Sequence, residues 1–193
     1  MATQAERRAG TRRRLIDAGH ELFVSNGYDE TTTEVLLTHA GVSKGALYHH
    51  FASKQELFAA VFEEVAQSSI ERAVQGQSPA ATEIETLIDG CVRWLREARR
   101  PEVATILLEQ GPRVLGFEGA RDLEARYSLA LMKAGLERAV SAGELNLPSI
   151  DLAARLINAL LGEAALVSLK GRRGPSRKVV EETVRRLIEG LVV

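Results

Sequence analysis

The sequence predicts an all-α chain in which a head of short helices precedes a body of long ones. Three observations predict it. Apolar residues recur at helical spacing along almost the whole chain, and no stretch alternates with period two for long enough to make a strand. Glycines, prolines and N-capping residues punctuate these stretches at helix-length intervals. The 193 residues are 45% hydrophobic, enough to bury a sizeable core.

Each element follows from local signals. The first helix covers about residues 5–25, with Leu15, Ile16, Ala18, Leu22 and Phe23 on its apolar side, and it ends at Asn26 and Gly27, where glycine suits a left-handed cap. A second starts in the threonine run, where Thr31 and Glu34 fit a capping box, and stops at Gly41. A third runs from the N-cap residue Ser43 to about His50. The fourth begins after Ser53 and carries Leu57, Phe58, Val61, Phe62 and Val65 on one stripe. Gly76 to Pro79 breaks the pattern. Helices follow over about 80–99, 101–114, 118–141, 149–170 and 176–191. This grain divides the chain into a head over 1–54, a connecting helix over 55–75 and a body over 76–193, with no linker long enough for independent domains.

Composition excludes several classes. A net charge of -1 and a pI near 6.5 argue against coating a polyanion through bulk charge, so any such site must be a local patch. The single cysteine, Cys91, cannot form an internal disulfide and reads as a small buried hydrophobe, consistent with a reducing cytoplasm. No apolar run is long enough to span a bilayer, and the arginine-rich start lacks the apolar core of a signal peptide, so no membrane association is expected. His20, His39, His49 and His50 invite a metal reading, but adjacent His49 and His50 point about 100° apart on a helix and cannot comfortably share an ion. No metal and no cofactor is expected. The chain shows no nucleophile elbow, phosphate loop, HExxH or paired-carboxylate motif, and it reads as something other than an enzyme.

The stretch "TTTEVLLTHAGVSKGALYHHFASK", residues 31–54, has no acidic residue between Glu34 and the following Glu56. Two short helices joined by "AGVS" are laid out as a helix-turn-helix, with glycine reversing the chain and Val42 filling the angle. In the second helix Leu47 and Phe51 can point to the core, leaving Ser43, Lys44, Gly45, Tyr48 and His49 outside. A phosphate ladder would repel carboxylates there, so a surface that meets DNA explains their absence. A plain helix pair whose tyrosine and histidines cover a core edge would share the layout but gives no reason for it.

The segment "NGYDETTTEVLLTHAGVSKGALYHHFASKQELF", Asn26 to Phe58, resembles the DNA-binding motif of the TetR family of transcriptional regulators. The resemblance implies a three-helix DNA-binding head and a dimerising, ligand-binding helical body. It places Thr33 and Ser43 at helix starts facing phosphates, Lys44 and Gly45 at the groove floor, and Tyr48 and His50 against the DNA backbone, with exposed His49 beside them. Lys54, opening the fourth helix, would hold a further phosphate. These roles suit the residue types: helix N-termini and hydroxyls bind anionic oxygen, and lysine donates to guanine edges. Two positions depart from the family pattern, Leu37 where a small residue is usual and Val35 where an acid is common. The arginines Arg7, Arg8, Arg12, Arg13 and Arg14 offer further phosphate contacts or are simply solvated.

An apolar helical bundle with scattered polar groups is what a small-molecule pocket needs. Candidates for its lining are Cys91, Trp94, Ile106, Gln110, Phe117, Tyr127 and Leu131, around a cavity on the order of a few hundred Å³. The segment "GPRVLGFEG", Gly111 to Gly119, offers either a gate to that pocket or a corner of the fold. The last two helices read as a homodimer interface, a four-helix bundle built from Leu161, Ala165, Val180, Val184, Leu187 and Leu191. The expected whole is a ligand-responsive repressor that binds a palindromic double-stranded DNA operator as a homodimer and answers to a small-molecule effector. A DNA-binding module controlled by a protein partner, or a helical enzyme using His49 and His50, are the alternatives.

Overall fold

A hydroxyl side chain starts most of the helices. Thr3, Thr32, Ser43, Ser53, Thr82, Ser149 and Ser176 each accept a hydrogen bond from the backbone amide three residues on, satisfying donors that a helix N-terminus leaves unpaired. In this computed structural model, which describes residues 3–75, 81–171 and 174–191, those caps open α1 (Gln4–Ser25), α2 (Thr33–Ala40), α3 (Lys44–His50), α4 (Lys54–Val74), α5 (Glu83–Glu97), α8 (Ile150–Ser168) and α9 (Arg177–Glu189). Between α5 and α7 (Phe117–Ser141) the chain passes through a π-helical segment, Val103–Gln110, directly into the short α6 (Gly111–Leu115). No strand occurs among the described residues, so the chain is all-α as expected. The break at Gly76 to Pro79 lies outside the described residues.

The start of α2 differs from expectation by one residue. Thr32, not Thr31, is its N-cap. Thr31 is fully buried, and its Oγ1 donates to the carbonyl oxygens of Gly27 at 2.7 Å and Leu22 at 3.3 Å. A buried hydroxyl must find such partners; here it shares the Leu22 carbonyl with the Asn26 amide and takes the Gly27 carbonyl beyond the end of α1.

Helix α4 belongs to both halves of the core. Toward the head it packs on α1, where Gly19 lets the two backbones approach until an added Cβ would lie 3.1 Å from Val61. Phe58 sits edge-on to Phe23 and Tyr28, each ring centroid 5.3 Å away. Toward the body α4 packs on α5, α7 and the π-helical segment. There Phe62, almost fully buried, lies against Gly111, whose hypothetical Cβ would come within 2.5 Å of the ring. The segment Gly111 to Gly119 is thus a corner pressed onto α4, with Gly116 turning the chain at φ 76°. Polar links reinforce this joint: the Gln55 side-chain amide donates to the Val114 carbonyl at 2.7 Å, and Arg113 pairs with Asp29 at 3.2 Å.

Among the far helices, α9 packs its buried stripe of Val180, Val184 and Ile188 onto α5 and α8. The Glu144 carboxylate, from the turn after α7, accepts from the amides of Glu83 and Ile84 at 3.1 and 2.8 Å and closes the N-terminus of α5, where negative charge is favoured.

Gly111 tests the shared core directly. Gly111→Ala should destabilise the protein by about 1–3 kcal/mol, because the buried Phe62 ring has no free direction in which to yield. Chemical denaturation checks this, with Gly119→Ala, whose Cβ would meet only Leu115 at 3.7 Å, expected to change little.

Candidate nucleic-acid interface and body cavity

The two short helices turn on Gly41, in the left-handed conformation at φ 62°, and Val42 donates from its amide to the Leu37 carbonyl at 3.1 Å. Leu37 is half-buried against the core beside Val42, so the larger residue is absorbed at the crossing. Helix α3 turns Leu47 and the following Phe51 inward, and both are almost fully buried. Its opposite face carries Ser43, Lys44, Gly45, Tyr48 and His49, all exposed, with Tyr48 at 49%. A Cβ at Gly45 would meet nothing within 4 Å, so the backbone there faces open space. Thr33 is the first residue of α2 and His50 the last of α3, both half-buried.

The flank of this face is basic. Arg7, Arg8 and Thr11 of α1 line an open concavity with Ala46, His49 and His50, and the Arg12 guanidinium lies over the Phe51 ring at 5.2 Å. Burial first, and then the charges of His49, Arg8 and Arg12, hold the His50 imidazole below its ordinary pKa. Glu34, exposed in the first turn of α2, feels the charge of Lys44, whereas other acids of the head are tied to partners of their own. Glu56 accepts from the Ala52 amide at 2.5 Å, and Asp17 and Glu64 both bind Arg13, at 2.5 and 2.8 Å. Arg13 is therefore a brace between α1 and α4 and leaves the set of candidate phosphate ligands.

Lys54 also has a different role from the one expected. Its Nζ donates to the carbonyls of Tyr28 at 2.8 Å and Thr31 at 3.0 Å, and lies 4.0 Å from the centre of the Tyr28 ring. The ammonium points into the corner between α1 and α2. No group of three or more His, Cys, Asp or Glu side chains suited to a metal occurs among the described residues. His39 instead meets Glu21 at 2.7 Å.

In the body, a cavity of about 100 Å³ lies between α4, α5, α7 and α8, smaller than the few hundred Å³ expected. Cys91, Trp94 and Leu131 line it, as the sequence suggested. Ile106, Gln110, Phe117 and Tyr127 do not. Ile106 is fully buried in the π-helical segment. Gln110 is buried and donates from Nε2 to the Phe23 carbonyl at 2.8 Å, tying the body to the end of α1. Phe117 is 66% exposed beside Arg121, and Tyr127 packs on the core from another side of α7. The sequence reading missed Thr86, Glu124, Ser128, Arg138 and Asn158, the polar part of the lining; for the three on α7 the stripe i, i+4 and i+14 was the available signal. Burial pushes the Cys91 thiol up to about 12, which leaves it unreactive at neutral pH.

The dimer candidates divide in two. Ala165, Val180 and Val184 are buried within their own chain, and Leu161 is buried at the cavity wall, so none presents a surface to a partner. Leu187 is 53% exposed and Leu191 is exposed too. The outside of α8, α9 and the turn after it also exposes Leu152, Leu156, Leu166 and Val179, so the exposed apolar residues include two of the six expected ones.

Known proteins match both halves of this arrangement. Residues 15–61 match the family described as bacterial regulatory proteins, tetR family, and residues 84–191 match the tetracyclin repressor-like C-terminal domain. The crystal structure of a TetR-family transcriptional regulator from Pectobacterium atrosepticum superimposes with a TM-score of 0.83 at 30% identity, over 100% of this chain and 98% of that one. The A-factor receptor protein of Streptomyces griseus is 39% identical over 90 residues, 47% of this chain and 30% of that protein. The HTH-type transcriptional regulator SrpR of Pseudomonas putida is 45% identical over 51 residues, 26% of this chain and 24% of that protein. The match thus spans less than a third of the length of these two curated relatives. With a helix-turn-helix head and a helical body that both match, this chain belongs to the TetR family of transcriptional regulators.

Proposed function

We propose that this chain is a cytoplasmic repressor of transcription: a homodimer that grips a palindromic operator through α3 and lets go when a small apolar or amphipathic effector enters the body cavity. The observation that carries the reading is the outer face of α3, free of carboxylates, opened by Ser43 and flanked by Arg7, Arg8 and Arg12. Such a face matches a major groove walled by phosphates. In this reading Lys44 reads a base edge, Gly45 lets the backbone come close, and Thr33, Ser43, Tyr48, His49 and His50 hold phosphates. The exposed apolar face of α8 and α9 supplies the two-fold interface, since an unpaired patch of that kind marks an association surface. Among the described residues no helix is long and apolar enough to cross a membrane. An effector acts by binding one spacing of the two heads better than the other.

DNA binding is tested by footprinting the region upstream of the gene. Lys44→Ala should relax preference at one symmetric pair of operator positions by about 1–3 kcal/mol per half-site while changing binding to random DNA less. Equal loss on all sequences would make Lys44 a phosphate ligand instead.

Lys54→Met separates the two roles considered for that residue. It should lower stability to denaturant by about 1.5–3 kcal/mol, because two carbonyls lose a charged donor, and it should leave the salt dependence of DNA binding unchanged. A fall of about 1 in the salt slope per head, with stability intact, would restore the phosphate contact.

For the dimer, Leu156→Glu or Leu187→Glu should raise the dissociation constant by roughly 100-fold, the effect of an unpaired charge costing about 3 kcal/mol. Sedimentation equilibrium measures it; Val184→Ala, inside the chain, should lower stability without that selective effect.

A further inference from the structure

The polar groups around the body cavity are unequally satisfied. Arg138 is ion-paired through Nε with Glu83 at 2.9 Å. The Asn158 amide donates to Ser128 Oγ at 2.7 Å, and that hydroxyl donates to the Glu124 backbone carbonyl at 3.1 Å. The carboxylate of Glu124 has no hydrogen-bond or ion-pair partner among the described residues, although it lines the cavity and is half-buried. Burial pushes this carboxyl above the usual carboxylate range, against a smaller opposing pull from Arg121. Arg121 itself lies with its guanidinium 5.5 Å from the Phe117 ring.

Position along α7 sharpens the point. Glu124 and Arg138 mark opposite ends of the cavity-facing stripe, about 21 Å apart along the helix axis. The far end is already neutralised by Glu83; the near end keeps an unanswered acceptor. The wall between is mostly apolar, from Ile70, Leu87, Leu131 and Met132, and Trp94 adds an aromatic ring, a surface that attracts cations. A volume of about 100 Å³ limits a guest to a small body.

We propose that the effector is a small amphipathic cation, an apolar or aromatic group bearing a basic nitrogen that pairs with the Glu124 carboxylate. This rests on the reading of the cavity as the effector site. A half-buried carboxylate with no protein partner is available to a ligand that brings its own charge and hydrogen-bond donors, and the water that such a ligand displaces strengthens the pairing. An anion at the same end would meet repulsion, and a neutral alcohol would offer one donor without charge.

Three matched probes test this on the full chain: propylamine, propan-1-ol and propionate, titrated while following the fluorescence of Trp94, the single tryptophan. The amine should bind about tenfold more tightly than the alcohol, and propionate most weakly. Glu124→Gln, close in shape and checked by thermal melting, should abolish the amine's advantage while leaving alcohol binding in place. Equal affinity of amine and alcohol for the unaltered protein, or an amine preference that survives Glu124→Gln, would overturn the cation inference and leave the cavity an effector site. Absence of a saturable change with every probe would overturn both.

Discussion

The ammonium of Lys54 fixes the corner on which the head is built. A lysine in the first turn of a helix faces the positive end of the helix dipole, an unfavourable place for a cation unless something compensates. Here the carbonyls of Tyr28 and Thr31 and the face of the Tyr28 ring provide that compensation. The same corner collects Thr31 Oγ1 on the last carbonyls of α1 and the Gln110 amide from the body on Phe23. Since α2 begins immediately after this corner, its direction, and that of α3 beyond it, are set by these few bonds. The exposed face of α3 is placed by a joint whose members come from α1, α4 and the π-helical segment.

The helices and the exposed face of α3 were legible because both depend on short-range order. Caps act over three residues and amphipathic stripes over a few turns. Ser43, Lys44, Gly45, Tyr48 and His49 are outside because Leu47 and Phe51 are inside, and that much is periodicity. The misread residues depend on which neighbour a side chain meets. Lys54 reads as a surface cation until the Tyr28 turn is seen beneath it. Val180 and Val184 form a true apolar stripe, but a stripe does not say whether α5 or a second chain covers it. Leu152 and Leu156, exposed on α8, complete the ambiguity.

The π-helical segment was illegible for a related reason. Its buried residues, Val103, Ile106, Leu107 and Gln110, have spacings that suit an ordinary helix. What widens the turn is tertiary: the segment must meet α4 and α1 at once and deliver Gln110 to Phe23. π-helical turns are rare and concentrate where a helix serves such a special contact. The cavity followed the same rule. Cys91 and Trp94 were found because α5 has one sharply apolar face; Glu124 was missed because a carboxylate in a surface-like pattern reads as solvated.

The contact between Phe62 and the Gly111 backbone has a mechanical consequence, because it lies partway along α4 and so can serve as a fulcrum. At about 1.5 Å per residue, the arm from Phe62 to Lys54 is about 12 Å and the arm from Phe62 to Ala73, on the cavity wall, about 16 Å. A rigid rocking of α4 about that point moves its two ends in opposite senses, and the end at the Tyr28 corner travels roughly three-quarters as far. In such a rocking, displacement of the cavity wall would reach the head inverted and slightly attenuated, with its ratio set by where along the helix Phe62 stands.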